Sequence, residues 1–371
     1  MDRPGMAFFP HAIPAGLPGV PHPAPLANRT AVCLVTRFWR PYDKSVERIE
    51  TVVIVGAGNW GLALAAVCCK ARQVRVWAKD AVSADALRRN RGRHDGVRAP
   101  LPANVHVEEK FASDVDPQRT LFILAVPSGQ VRAISRELGS HFREPLIVSV
   151  SKGYDAERQR TMSEVIQEEI PGARVVVLTG PTIANEVAQA KPTRAVLACQ
   201  DLMHLALVKD VLKNDVITFE ISRNPAHHEI CAALKGIVAI AVGMADGLDL
   251  GANAQGVLMT EGLRELAVVA SFFGIPEALA YGTSGAGDLI TTCVSPDSRN
   301  RRLGTLLAKG LSLEQALSEV QMTVEGVAMS KTIRTLWALD VSIPLFHMVN
   351  AILSGESRDI RGELEDLIRR R

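Results

Sequence analysis

The stretch Thr51–Cys69, TVVIVGAGNWGLALAAVCC, decides the fold. It opens on Val52-Val53-Ile54-Val55, a continuous apolar run that suits a strand buried on both faces. It then passes through Gly56-Ala57-Gly58-Asn59-Trp60-Gly61 into an apolar helical segment from Leu62 to Lys70. Gly56 permits a tight turn, Gly58 lets backbone amides approach a pyrophosphate, and Gly61 lets the helix lie close to the strand, while the helix N-terminus adds positive potential. Strand, glycine turn and helix in this order predict a dinucleotide-binding turn. The same stretch is uncharged and about as long as a membrane span. Asn59, Trp60 and the three glycines at fixed spacing read instead as strand, turn and helix, and no membrane span is predicted.

Outward from this turn, short β-branched runs alternate with helical segments: Val74–Trp77, Leu121–Ala125, Leu146–Val150, Val175–Leu178 and Ala195–Ala198. Such alternation predicts parallel crossovers and an α/β, Rossmann-type doubly wound sheet over 49–222. Beyond it, apolar residues recur at helical spacing over Glu229–Ala245, Gln255–Phe273 and Val324–Ala338, with loops at Gly274-Ile275-Pro276, Gly282–Gly287 and Ser295-Pro296-Asp297. These predict an all-helical C-terminal domain over 223–371. Residues 1–48, with Pro21-His22-Pro23-Ala24-Pro25, show no period and are expected to form a disordered extension, interrupted by proline too often for a secretory signal.

In 371 residues, 47% hydrophobic and 22% charged, 42 basic side chains face 40 acidic ones. A net charge of +2 gives no reason to expect nucleic acid or a membrane surface as partner. Cys33, Cys68, Cys69, Cys199, Cys231 and Cys293 show no repeated CxxC spacing, so neither a metal site nor a disulfide framework is expected, and reduced thiols point to the cytoplasm.

Chemistry should gather at the carboxyl ends of the strands, where ligands of open α/β sheets lie. Val126-Pro127-Ser128 follows one such strand and should pass under the dinucleotide; Ser151-Lys152-Gly153 follows the next, its glycine suggesting close backbone approach. The second strand ends in Trp77-Ala78-Lys79-Asp80, a mixed signal. An acid there suits the ribose hydroxyls of NAD, whereas Lys79, followed by Arg88, Arg89, Arg91, Arg93 and His94, suits the 2′-phosphate of NADP. The cofactor expectation is NAD(P), leaning toward NADP.

Six motifs in order, GAGNWGLALA (56–65), SKGY (151–154), LTGPTIANEVA (178–188), ALKGIVAIAVGMADGL (233–248), GTSGAGDLITTCVSPDSRNRR (282–302) and VEGV (324–327), resemble the NAD(P)-dependent glycerol-3-phosphate dehydrogenase family from about Val52 to Leu339. The resemblance implies reversible reduction of dihydroxyacetone phosphate to sn-glycerol 3-phosphate, supplying phospholipid synthesis, in a homodimer. It implies Lys235 as the acid/base, with Lys152 and Asp288 as catalytic companions. A free lysine, with pKa about 10.4, is a poor base at neutral pH. Burial and the Lys152 cation would lower that value, and Asp288 would oppose the shift. The resemblance further implies Gly56, Gly58, Asn59, Trp60, Gly61, Lys79, Lys152, Ala184, Arg299 and Glu325 as cofactor contacts. For the phosphorylated substrate it implies Lys152, Gly180, Thr182, Asp288, Ser298, Arg299 and Asn300, in which Arg299 offers a planar fork for phosphate.

The chain departs from the family's pattern at Lys235-Gly236, where the family usually has Lys-Asn, at His227-His228, at Gln255 and at Glu261. Two other readings compete: a related hydroxy-acid dehydrogenase, which gives no reason for Ser298-Arg299-Asn300, and a non-catalytic dinucleotide-binding protein, which needs no Lys152, Lys235 and Asp288 together.

Overall fold

The computed structural model describes residues 48–68, 71–90, 100–109, 114–333 and 342–370. The chain divides into two units, Met1–Val46 and Glu47–Arg371. The extension expected over 1–48, Arg91, Arg93, His94, Cys33 and Cys69 therefore lie wholly or almost wholly outside the described residues.

The opening stretch forms β1 (Thr51–Val55) and α1 (Asn59–Val67), not a span. There follow β2 (Gln73–Trp77), α2 (Ala81–Arg89), β3 (Val105–Glu108), β4 (Thr120–Leu124), α3 (Ser128–His141) and β5 (Leu146–Ser149). A small antiparallel hairpin, β6 (Tyr154–Asp155) with β7 (Arg160–Thr161), leads to α4 (Met162–Glu169), β8 (Arg174–Thr179), α5 (Ala184–Ala188), β9 (Thr193–Ala198), α6 (Leu202–Leu212) and β10 (Ile217–Ser222). The main sheet has eight strands in the order β10-β9-β8-β5-β4-β1-β2-β3. The order reverses between β1 and β4, which opens a crevice at the ends of Val55 and Leu124.

Val52–Val55 have no exposed area because alternate residues enter different cores: Val52 and Ile54 pack with Leu62 and Leu64 on one face, Val53 and Val55 with Val131 and Leu138 on the other. Each such side chain contributes about 1.5–3 kcal/mol by leaving water.

Two expectations need correction. The sheet is not wholly parallel, since β8 and β9 run antiparallel. The five-residue α5 rises only about 7.5 Å, too little to carry the chain back along a strand of roughly 20 Å, so β9 re-enters from the end at which β8 left. Strands β3 and β10, absent from the sequence reading, occupy the two sheet edges, where their mixed exposure hides the apolar run.

After β10 only helices occur among the described residues: α7 (Pro225–Gly247), α8 (Gly251–Phe272), α9 (Glu277–Ala280), α10 (Asp288–Val294), α11 (Arg299–Ala308), α12 (Leu313–Val320), α13 (Glu325–Ile333), α14 (Pro344–Ser354) and α15 (Ile360–Arg369). The helix expected to run to Ala338 is described only as far as Ile333, and the loop expected at Gly282–Gly287 contains one π-helical turn, Thr283–Gly287. α7 is long and apolar enough to cross a membrane, but 83% of its apolar window is buried within the protein. It is the central helix of the second core, buried from His228 to Ala245.

α11 seats on α7 through glycine. A Cβ on Gly243 would stand 2.0 Å from the Arg301 carbonyl oxygen, and one on Gly304 2.0 Å from that of Ile240. Thr305 Oγ1 donates to the Gly243 carbonyl at 3.1 Å across the same contact.

Candidate active site

The glycine turn has the geometry its sequence implies. Gly56 adopts φ +112°, and a Cβ there would meet the Ala125 carbonyl oxygen at 2.5 Å; a Cβ on Gly61 would stand 2.0 Å from Gly56 O. Gly58 is the N-cap of α1, with no side chain capping the helix and nothing within 4 Å of where its Cβ would be. The first amides of α1 have no intrahelical acceptors, and Asn59 Oδ1 is buried without a hydrogen-bond partner among the described residues. An open cradle under free amides at a helix N-terminus fits a dinucleotide pyrophosphate. Trp60 packs against the sheet core, and Ala184 opens α5, which packs beside α1.

At the end of β2, Lys79 is 84% exposed, with the Asp80 carboxylate 3.9 Å away. Asp80 Oδ1 accepts the Ser83 N–H at 2.7 Å and caps α2, and that bond is the largest cause of its lowered pKa. Arg88 is engaged by the Val107 carbonyl and Asp85, and Arg89 by the Asp85 carbonyl. Lys79 thus has only the loose pairing with Asp80 among the described residues and keeps most of its side chain in water.

Lys152, Lys235 and Asp288 converge from three elements. Asp288 begins α10 and is 1% exposed. Its Oδ2 accepts from Lys152 Nζ at 2.7 Å and its Oδ1 from Lys235 Nζ at 2.5 Å. Lys152 Nζ also donates to Gly180 O at 3.0 Å, and Lys235 Nζ to Thr292 Oγ1 at 2.9 Å. Thr292 escaped the sequence reading, although it stands one helical turn after Asp288 on the same face. Burial pushes the Lys235 pKa down to about 7; Asp288 opposes the shift and Lys152 adds to it. A neutral amine is therefore accessible at a pH where an ordinary lysine has none.

Gly180 adopts φ +124° and its carbonyl accepts from Thr182 Oγ1 at 3.1 Å as well as from Lys152. Gly153 accounts for the close approach expected beside Lys152: a Cβ there would lie 2.3 Å from Ser128 Cβ.

The second cluster lies on α11 and α13. Ser298 is buried, and its hydroxyl caps α11 by accepting the Arg301 N–H at 3.2 Å. Arg299 makes no hydrogen bond or ion pair among the described residues. Water reaches its side chain, yet the protein walls around it press the guanidinium pKa down, with Glu325 opposing. Asn300 Oδ1 accepts the Gly326 N–H at 3.0 Å. A Cβ on Gly236 would stand 2.9 Å from Gly326 Cα and 3.2 Å from Asn300 Oδ1, so the glycine beside Lys235 is filled by the backbone of α13 and leaves no vacancy. Glu325 takes the Ser128 N–H at 3.0 Å and the Ser128 hydroxyl at 2.5 Å.

Among the described residues no group of three or more His, Cys, Asp or Glu side chains could hold a metal ion. Cys231 and Cys293 are buried thiols whose pKa values burial pushes up to about 12.

Comparison with known proteins gives the family. Residues 51–205 match the model of the NAD-dependent glycerol-3-phosphate dehydrogenase N-terminus and residues 225–360 that of its C-terminus. A glycerol-3-phosphate dehydrogenase (NAD(P)+) of Fusobacterium nucleatum is 34% identical over 310 residues, covering 81% of this chain and 92% of the relative. That of Moorella thermoacetica is 40% identical over 302 residues, 77% and 86% of the respective chains. The crystal structure of glycerol-3-phosphate dehydrogenase from Coxiella burnetii superposes with TM-score 0.79 at 28% identity, covering 86% of this chain and 99% of that one. The chain belongs to the NAD-dependent glycerol-3-phosphate dehydrogenase family.

Proposed function

We propose that residues 49–222 hold the dinucleotide and residues 223–371 the substrate in the family's reaction, the reversible NAD(P)H-dependent reduction of dihydroxyacetone phosphate to sn-glycerol 3-phosphate for phospholipid synthesis. The chain is an oxidoreductase acting on a secondary alcohol and the matching ketone. When bound, the nicotinamide supplies or accepts the hydride at the substrate's central carbon. Gly56, Gly58, Asn59, Trp60, Gly61 and Ala184 hold the dinucleotide, Glu325 faces its nicotinamide end, and Lys79 engages a 2′-phosphate, which gives the preference for NADP.

Lys235 Nζ gives a proton to the substrate oxygen in reduction and takes it back in oxidation. What carries this reading is the shared carboxylate: Asp288 anchors Lys235 with one oxygen and Lys152 with the other, so the buried amine is aimed and its pKa held low by burial and a second cation. Lys152, Asp288, Gly180 and Thr182 line the substrate's carbonyl end. Arg299, unpaired in its cleft, takes the phosphate, with Asn300 and Ser298 beside it. The enzyme works as a homodimer in the cytoplasm. Consumption of NADPH and NADH with dihydroxyacetone phosphate, followed by the absorbance of the reduced nicotinamide, tests the reading; cofactor binding without turnover would overturn it.

A further inference from the structure

Near its N-terminal end α7 carries a carboxylate that the chemistry above does not use. Glu229 is 2% exposed, on the helix that bears Lys235. Its Oε1 accepts the Ser163 N–H at 2.9 Å and its Oε2 the Ser163 hydroxyl at 2.5 Å. Ser163 belongs to the first turn of α4, whose N-cap Thr161 closes a capping box with Glu164. Thr161 is also the last residue of β7, where it pairs with Tyr154 of β6, and its hydroxyl lies 3.2 Å from that of Ser163. Tyr154 follows Lys152 by two residues. A continuous path of hydrogen bonds and short backbone thus joins Glu229 to the segment that presents Lys152.

Lys152 and Lys235 come from different parts of the chain and share Asp288, so their spacing depends on how the hairpin is fastened to α7. Coulomb repulsion between two ammonium groups varies with that spacing, and with it the cost of protonating the buried one. We propose that Glu229 is a positioning residue, which sets the distance between Lys152 and Lys235 by tying the β6–β7 hairpin and α4 to the N-terminal part of α7. This rests on the reading of Lys235 as proton donor.

The neighbouring His228 does not compete for Ser163; its Nδ1 meets Ser284 Oγ at 2.6 Å, on the turn that leads to Asp288. Burial pushes the Glu229 pKa up to about 7, the Ser163 and Thr161 bonds oppose this and Glu164 adds to it. The groups facing Lys235 are Asp288, Thr292, Lys152 and the buried thiol of Cys293.

The test compares Glu229→Ala, Glu229→Gln and Ser163→Ala by kcat, KM for dihydroxyacetone phosphate and the pH profile of kcat. Glu229→Ala frees the hairpin and lets Lys152 recede. We expect kcat to fall by up to about 10²-fold, as for misplacement at a distance, KM to rise, and the limb due to Lys235 to move to higher pH. Glu229→Gln keeps an acceptor for the Ser163 N–H and an amide for its hydroxyl, and should recover most of the loss. Ser163→Ala should shift the same limb by less, and it carries the test if Glu229→Ala does not fold. Lowered melting temperatures with kcat, KM and limb all at wild-type values would overturn the proposal, as would a Gln variant as impaired as the Ala one. Turnover surviving in Lys235→Ala would instead remove the underlying reading; an inactive Lys235→Ala with an unmoved limb in Glu229→Ala and Ser163→Ala fails the positioning role alone.

Discussion

Ser128 and Glu325, 197 residues apart in the chain, meet through two hydrogen bonds in which the backbone N–H and hydroxyl of Ser128 both donate to the Glu325 carboxylate. One residue begins the helix after β4, at the sheet crevice; the other begins α13, against the glycine next to Lys235. The contact ties the end of the sheet to the helices. Ser128→Ala removes the hydroxyl bond alone. A hydrogen bond to a charged group is worth about 1.5–3 kcal/mol, and urea unfolding should show a loss toward the lower end because the pair is only partly buried. An unchanged unfolding midpoint would deny the contact any such role.

Lys235→Ala should leave dinucleotide binding intact and lower kcat by at least about 10²–10⁴-fold, the usual contribution of a general acid or base. The wild-type profile follows from the depressed pKa of about 7. Reduction draws on the protonated amine, so its kcat should fall as pH rises through that value. Oxidation draws on the neutral amine, so its kcat should fall as pH drops through it. Profiles of kcat in both directions check the sign.

Arg299→Ala should raise KM for the phosphorylated substrate steeply, while Lys79→Ala should weaken NADPH more than NADH. The two belong in one experiment because the proposed function assigns them to two different phosphates. Equal use of glycerol and glycerol 3-phosphate by the wild type would contradict the first, and equal loss of both cofactors the second.

Glu265 predicts how stability varies with pH. Its carboxylate, 3% exposed, accepts the Leu345 and Phe346 N–H groups at 2.6 and 2.8 Å, capping α14, which has no side-chain cap of its own. Burial raises its pKa from 4.5 to about 7, with those two bonds opposing. A folded-state value above the unfolded one gives stability that is complete below about 4.5 and is lost as pH rises through about 7. Glu229 acts in the same direction. His228, pushed down to about 4 by burial, acts oppositely, its contribution being lost as pH falls from about 6.5 through 4. Glu265→Gln should therefore flatten the decline in melting temperature between about pH 5 and about pH 8. A decline as steep as wild type would exclude the titration of Glu265.

How much of this was legible in the sequence follows from how local each signal is. β1, the glycine turn and α1 were readable because strand, turn and helix are contiguous and the glycines fall at fixed spacing between them, Gly61 answering the Gly56 carbonyl within the same unit. The buried strands β4, β5 and β8 were readable as apolar runs. The edge strands were not, since neither VHVE in β3 nor ITFEIS in β10 is a continuous apolar run, and β10 leaves Thr218, Glu220 and Ile221 in water without a regular alternation. The direction of β9 was hidden in the length of α5. At the site, the residue types of Lys235, Lys152 and Asp288 came from the family resemblance; no spacing in the chain reveals that one carboxylate divides its oxygens between two lysines. Ser128 with Glu325 and Ser163 with Glu229 join remote segments, and neither pair leaves a periodic trace.

The glycine seat between α7 and α11 also bears on how this enzyme could change. Gly243 and Gly304 leave no room for even a methyl group between the two backbones, so the helix that starts at Arg299 cannot slide along the helix that carries Lys235. The span from Arg299 to Lys235 is thereby cast as a fixed gauge, which on the proposed roles sets the distance from phosphate to transferred proton. An altered substrate length would have to be gained from the sheet side of the cleft, and random mutagenesis selecting longer or shorter phosphorylated ketones should return substitutions around Ser128, Gly153 and Thr182 while leaving the helix pair untouched.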